Sequence, residues 1–97
     1  MSRSYEILPR AAAVGGGWRL RLLENGKEVG GEVFSADPTA AVCTSAAWWK
    51  CQHEDERAKW AKEAGTASVD DAFSAYLSFD GHCIAETLGE NWVLELP

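Results

Sequence analysis

The side chains in this chain that can bind a metal or attack an electrophile are Cys43, Cys51, His53, His82 and Cys83. A structural zinc site draws its ligands from two close pairs, typically Cys-x-x-Cys, so that each pair closes on the ion from one turn. Here the pairs are Cys51-x-His53 and the adjacent His82-Cys83. Neighbours on a strand point to opposite faces, so His82 and Cys83 would not meet one ion. The spacing predicts buried or half-buried free thiols, with no metal and no cofactor. A Cys–His nucleophile also needs an acid to orient the imidazole, and nothing near either histidine resembles a positioned nucleophile. No carboxylate pair has an assignable acid–base role, so the expectation is no catalytic residue and no enzyme activity. Gly15-Gly16-Gly17 runs into a strand and not into a helix N-terminus. It predicts a flexible lead-in and no phosphate cradle. Glu54-Asp55-Glu56 is the strongest acidic run, but Arg57, Lys59 and Lys62 follow it. That mixture fits a solvated helix better than a mimic of nucleic-acid phosphates.

The elements that must position these residues begin with Trp18 to Phe34, WRLRLLENGKEVGGEVF. Asn25-Gly26 accepts positive φ at both central positions, which selects the tight hairpin turn. The predicted register sets Glu24 against Lys27, Leu22 against Val29, Leu20 against Gly31 and Trp18 against Val33, with Arg19 opposite Glu32 and Arg21 opposite Gly30. Before it, Tyr5 to Leu8 alternates and ends at Pro9, as an edge strand does. After it, Asp37-Pro38 opens a helix through TAAVCTSAAWWKCQ, Asp37 as cap and Pro38 at the first helical position. Val42, Ala46 and Trp49 form its stripe, with Trp48 roughly opposite. A break is expected near His53, then a second helix, ERAKWAKEA, ended by Gly65. Ser68 to Phe79 reads two ways: a helix capped by Ser68 and ended by Gly81, slightly preferred, or a strand turning at Asp80-Gly81. Cys83 to Leu88 and Trp92 to Leu96 read as a closing hairpin. The predicted fold class is α+β: one domain, residues 1–97, with an antiparallel sheet built from an N-terminal and a C-terminal hairpin against two or three helices on one face.

At 97 residues and 46% hydrophobic content the chain can bury a core. The net charge is −6, and from Ala64 to Pro97 there are acids (Asp70, Asp71, Asp80, Glu86, Glu90, Glu95) but no Lys or Arg. An acidic third suits a basic protein partner and argues against direct binding to nucleic acid or to an anionic membrane. No apolar run reaches the ~20 residues that span a bilayer, and MSRSYEILPR has no apolar signal-peptide centre. Three cysteines, an odd number, fit a reducing compartment. The expected location is cytoplasmic.

Three segments carry a family resemblance: ENGKEVGG, the Asp37-Pro38-x-Ala40-Ala41 helix start, and Gly89-x-Asn91-x-Val93-Leu94-x-x-Pro97. Together they resemble small phage- and prophage-encoded anti-CRISPR proteins that act on type I systems, in particular a short type I-F inhibitor. The resemblance implies an inhibitor that binds a Cas subunit of the surveillance complex and blocks target-DNA binding or nuclease recruitment. It implies Trp48, Trp60 and Trp92 as anchors, and the acidic residues Asp70, Asp71 and Glu90 as charges that steer toward basic channels. The alternative expectation is a small homodimeric regulatory or antitoxin-like protein that pairs through a sheet edge.

Overall fold

The computed structural model describes residues 2–41, 43–66 and 68–95. It shows a three-stranded antiparallel sheet in the order β1 (Arg3–Pro9), β2 (Trp18–Glu24), β3 (Lys27–Phe34). Three helices follow: α1 (Ser45–Lys50), α2 (Glu54–Ala64) and α3 (Val69–Leu94). The α+β class, the antiparallel sheet and the helices on one side of it are as the sequence predicts. The second hairpin is absent, because Ser68 to Leu94 is one capped helix of 26 residues in its helical span.

The β2–β3 turn forms as expected, with Asn25 at φ 53° and Gly26 at φ 81°. The register departs from the prediction after two pairs. Glu24 faces Lys27 and Leu23 faces Glu28, but Leu22 faces Gly30 and Trp18 faces Phe34. A β-bulge at Val29 inserts one residue into β3. Its effect is to place Phe34, not Val33, beneath α3, while Val29 and Val33 stay over half exposed. β1 pairs along its whole length with β2, Tyr5 opposite Leu22 and Ile7 opposite Leu20.

The helix α3 lies across the face that carries Tyr5, Leu20 and Phe34. Gly81, Ala85 and Gly89 are buried at spacings of four, which puts them on one side of the helix. A Cβ at Gly89 would stand 2.4 Å from the Tyr5 ring, and one at Gly81 2.9 Å from the Phe34 Cβ. The two glycines read as turn signals are therefore the places where sheet and helix touch. Trp18 Nε1 donates to the Ser78 carbonyl at 2.9 Å and Trp92 Nε1 to the Leu23 carbonyl at 3.1 Å. Arg3 stacks 4.0 Å over the Trp92 ring and donates to the Trp92 and Glu95 carbonyls, closing the helix C-terminus with a cation.

The first half of α3 packs elsewhere. Trp48, Trp60, Ala72 and Phe73 form a buried cluster, with Trp49, Tyr76 and Leu77 against it. Trp48 stacks on Phe73 with ring centres 5.0 Å apart, and Trp60 meets Tyr76 edge-on at 5.4 Å. Burial, then the charges of Asp80 and Cys43, raise the Tyr76 hydroxyl above its ordinary 10.0. The expected helix from Asp37 is two pieces. Asp37 does cap, accepting from Thr39 N at 2.9 Å, but the turn it starts is a 3-10 helix over Pro38–Ala40. Thr44 then caps α1 by accepting from Ala47 N. The break near His53 and the positive-φ end at Gly65 appear where expected. Trp48, not Trp49, is the inward residue of α1. Val42, part of the predicted stripe, and Leu96, part of the predicted hairpin, lie outside the described residues.

Two packing centres strung along one long helix make the molecule elongated, 48 × 27 × 22 Å. Its radius of gyration, 15.6 Å, exceeds the about 12.5 Å of a compact chain of this length.

Candidate interaction surface

The sequence-predicted site residues do not form one surface. Trp48 and Trp60 are 6% and 5% exposed, so these predicted anchors are core residues. Trp48, on α1, packs on Phe73 and Tyr76, and Trp60, on α2, meets Tyr76 edge-on, so both side chains are taken up by α3. Trp92 is half-buried between Arg3 and the sheet. Asp70 and Asp71 are exposed in the first turn of α3, where carboxylates oppose the positive end of the helix dipole. Both also have local partners: the Ser45 hydroxyl donates to Asp70, and the Thr66 hydroxyl to Asp71 at 2.9 Å. Glu90 is exposed near the other end of the same helix. At 1.5 Å per residue, about 30 Å of helix separates it from Asp70. The six predicted residues thus fall in three places: Trp48 and Trp60 in one buried cluster, Asp70 and Asp71 at the start of α3, and Glu90 and Trp92 near its end.

What the structure exposes instead is the apolar surface of α3 that the sheet leaves uncovered. Phe79, Ile84, Leu88, Val93 and Leu94 are 57%, 42%, 38%, 38% and 76% exposed. With Ala85 centred on the sheet, Ile84 and Leu88 fall on one flank of α3 and Phe79, Glu86 and Val93 on the other; Leu94 points outward with Glu90. Exposed Glu86 and Glu90 sit among these residues, with no Lys or Arg on the helix. Small residues at 81, 85 and 89 form the side of α3 that meets the sheet, which leaves these five larger residues on its other sides.

Two grooves border this helix. One, of about 410 Å³, lies between α3 and β3 and is lined by Leu22, Glu32, Leu88 and Trp92 among others. The other, of about 520 Å³, lies between α2 and α3. In it the His82 ring meets Trp18 edge-on at 4.7 Å, and His82 Nδ1 lies 2.7 Å from Glu86 Oε1. Cys43, Cys51 and Cys83 are all free and exposed, not buried or half-buried as expected; Cys83 lies one position on from His82, about 100° around the helix, so it is not aligned with that imidazole. His82 and Cys83 stand on a helix, not on a strand as expected, and their side chains still diverge. Among the described residues no cluster of three or more His, Cys, Asp or Glu side chains is arranged to hold a metal ion. Gly15, Gly16 and Gly17 all have positive φ, and their loop is tied internally by Arg10, which donates to the Val14 and Gly16 carbonyls.

Among the described residues no helix is long and apolar enough to cross a membrane. Comparison with family models, with curated proteins and with solved structures finds no match to this chain.

Proposed function

We propose that this protein is a non-enzymatic inhibitor that works by binding a protein partner in the cytoplasm of a bacterial host, and that the partner is a Cas subunit of a type I CRISPR surveillance complex. The observation that carries the binding reading is the outer surface of α3. Large apolar side chains exposed beside carboxylates, with no cation from Ala64 onward, complement a partner with an apolar cleft and a basic rim. Basic channels that hold nucleic acid have such rims. The choice of partner class comes from the sequence resemblance alone. Its first two segments fall on the Asn25-Gly26 turn and the Asp37 cap, and its third on the last turns of α3 and beyond. The third segment is thus shared as sequence and not as a hairpin.

The test is recovery of Cas proteins on the immobilised full chain from a bacterial lysate expressing type I components. Stoichiometric recovery of a complex subunit, lost on Glu90→Lys combined with Leu94→Ala, is the expected result. Recovery of no Cas protein from lysates of the type I subtypes contradicts the assignment.

A further inference from the structure

We propose that β3 is a homodimer interface, pairing antiparallel with β3 of a second copy about a two-fold axis that passes between Val29 and Gly30. The two sheet edges differ. β1 is partly covered by α3 and ends in Pro9, which has no N–H to offer. β3 is exposed at every position except Phe34, and among the described residues no strand pairs with its outer backbone groups.

The strand is complementary to itself in one register. Glu24 and Lys27 close the two-residue turn, so their backbone groups bond to each other. Counting on through the observed pairs, Glu28, Gly31 and Val33 turn their N–H and C=O outward. Lys27, Gly30 and Glu32 share the α3 side of the sheet, because they face Glu24, Leu22 and Leu20. An odd and an even residue share that side only because the bulge at Val29 lies between them. In the proposed pairing Glu28 exchanges backbone hydrogen bonds with the partner's Gly31, and Lys27 lies directly opposite the partner's Glu32. The two-fold axis repeats both pairs. Lys27 and Glu32 are exposed, and neither enters an ion pair among the described residues, whereas Glu28 is held by Arg19 and Arg21.

A separate observation points the same way. Gly31 is required by the fold, since a Cβ there would stand 2.2 Å from the Leu20 carbonyl oxygen. Gly30 is not: its φ lies outside the positive region, and a Cβ would meet only Leu22 Cδ1 at an ordinary 3.8 Å. The dimer gives Gly30 a role, because the partner's Val29 lies opposite it and needs the space. Both α3 helices then stand on the same side of a six-stranded sheet, and Ile84 and Leu88 of each line a trough between them.

Sedimentation equilibrium of the full chain, from micromolar to millimolar, tests this. The expected result is a concentration-dependent mass reaching twice that of the chain. Lys27→Glu raises the dissociation constant about tenfold or more, since two attractive cross-strand pairs become repulsive. Lys27→Glu with Glu32→Lys restores association. Gly30→Val abolishes it while leaving the far-ultraviolet circular dichroism unchanged. A chain that is monomeric throughout, a dimer indifferent to Lys27→Glu and Gly30→Val, or a charge swap that does not restore association would each overturn the proposal. So would an edge that captures a different protein while the chain itself stays monomeric.

Discussion

Gly89 sits in the middle of a helix, where glycine costs about 1 kcal/mol relative to alanine. Gly89→Ala is nonetheless expected to destabilise the protein, by about 1–3 kcal/mol, because its methyl would have to push the Tyr5 ring aside. Urea denaturation measures this directly; a gain in stability would mean that the Tyr5–Gly89 contact does not hold helix to sheet. Asp37 makes a second residue-scale prediction. The Thr39 backbone N–H, and then the Thr39 hydroxyl, holds its carboxyl below the ordinary 3.8. A lowered folded value means that the cap's contribution is complete above the unfolded value and disappears as the pH falls through the folded one. Asp37→Asn keeps a capping oxygen without a titrating charge, so its stability should fall less steeply than wild type in thermal melts below pH 4. Caps and turns of this kind are legible in the sequence because their information is local. Asn25-Gly26, Asp37, Ser68 and Gly65 all do what their residue types announce. Gly81 and Gly89 were not legible as packing residues, because Asp80-Gly81 and Gly89-Glu90-Asn91 also announce turns. Only the surface opposite, Tyr5 and Phe34, decides between the two meanings.

At the scale of elements, α3 is the part that the sequence pattern conceals. Its first half packs against α1 and α2 and its second half against the sheet, on different azimuths. No single apolar stripe runs its length, and the second half resembles alternating strands. The β3 register was hidden for a similar reason. Strict alternation from the turn predicts Val33 opposite Trp18, but the bulge at Val29 brings Phe34 there, against Gly81. Core packing chose the register, and turn geometry fixed only its first two pairs. Arg3 ties the two elements at their far end. Arg3→Ala removes the cation over Trp92 and the donors to the last carbonyls of α3. The expected cost is about 1 kcal/mol, with amide exchange accelerated locally at Trp92 to Leu94. Exchange accelerated equally throughout α3 would show instead that the helix opens as a unit. The α1–α2 cluster makes the stronger claim on stability. Trp48→Ala should cost about 3–5 kcal/mol, since it empties the site between Phe73 and Tyr76.

For the whole molecule, both packing centres share one helix, so they should unfold together. Tryptophan fluorescence reports both centres and far-ultraviolet circular dichroism the helices; coincident transitions are expected. The net charge of −6 is spread unevenly: the hairpin and α2 carry most of the cations, and α3 carries none. The general character of the proposed surface, acidic and in the last third of the chain, was therefore legible from charge alone. Its apolar members were not, because identifying Phe79, Ile84, Leu88, Val93 and Leu94 as exposed requires knowing which side of α3 meets the sheet. Calorimetry with a purified type I surveillance complex compares the affinity of the full chain with that of its Glu90→Lys, Leu94→Ala variant. Saturable binding by the wild type is expected, with at least tenfold weaker binding by a variant that melts as the wild type does. Equal affinities for the two, or no binding by either, would contradict the proposed function.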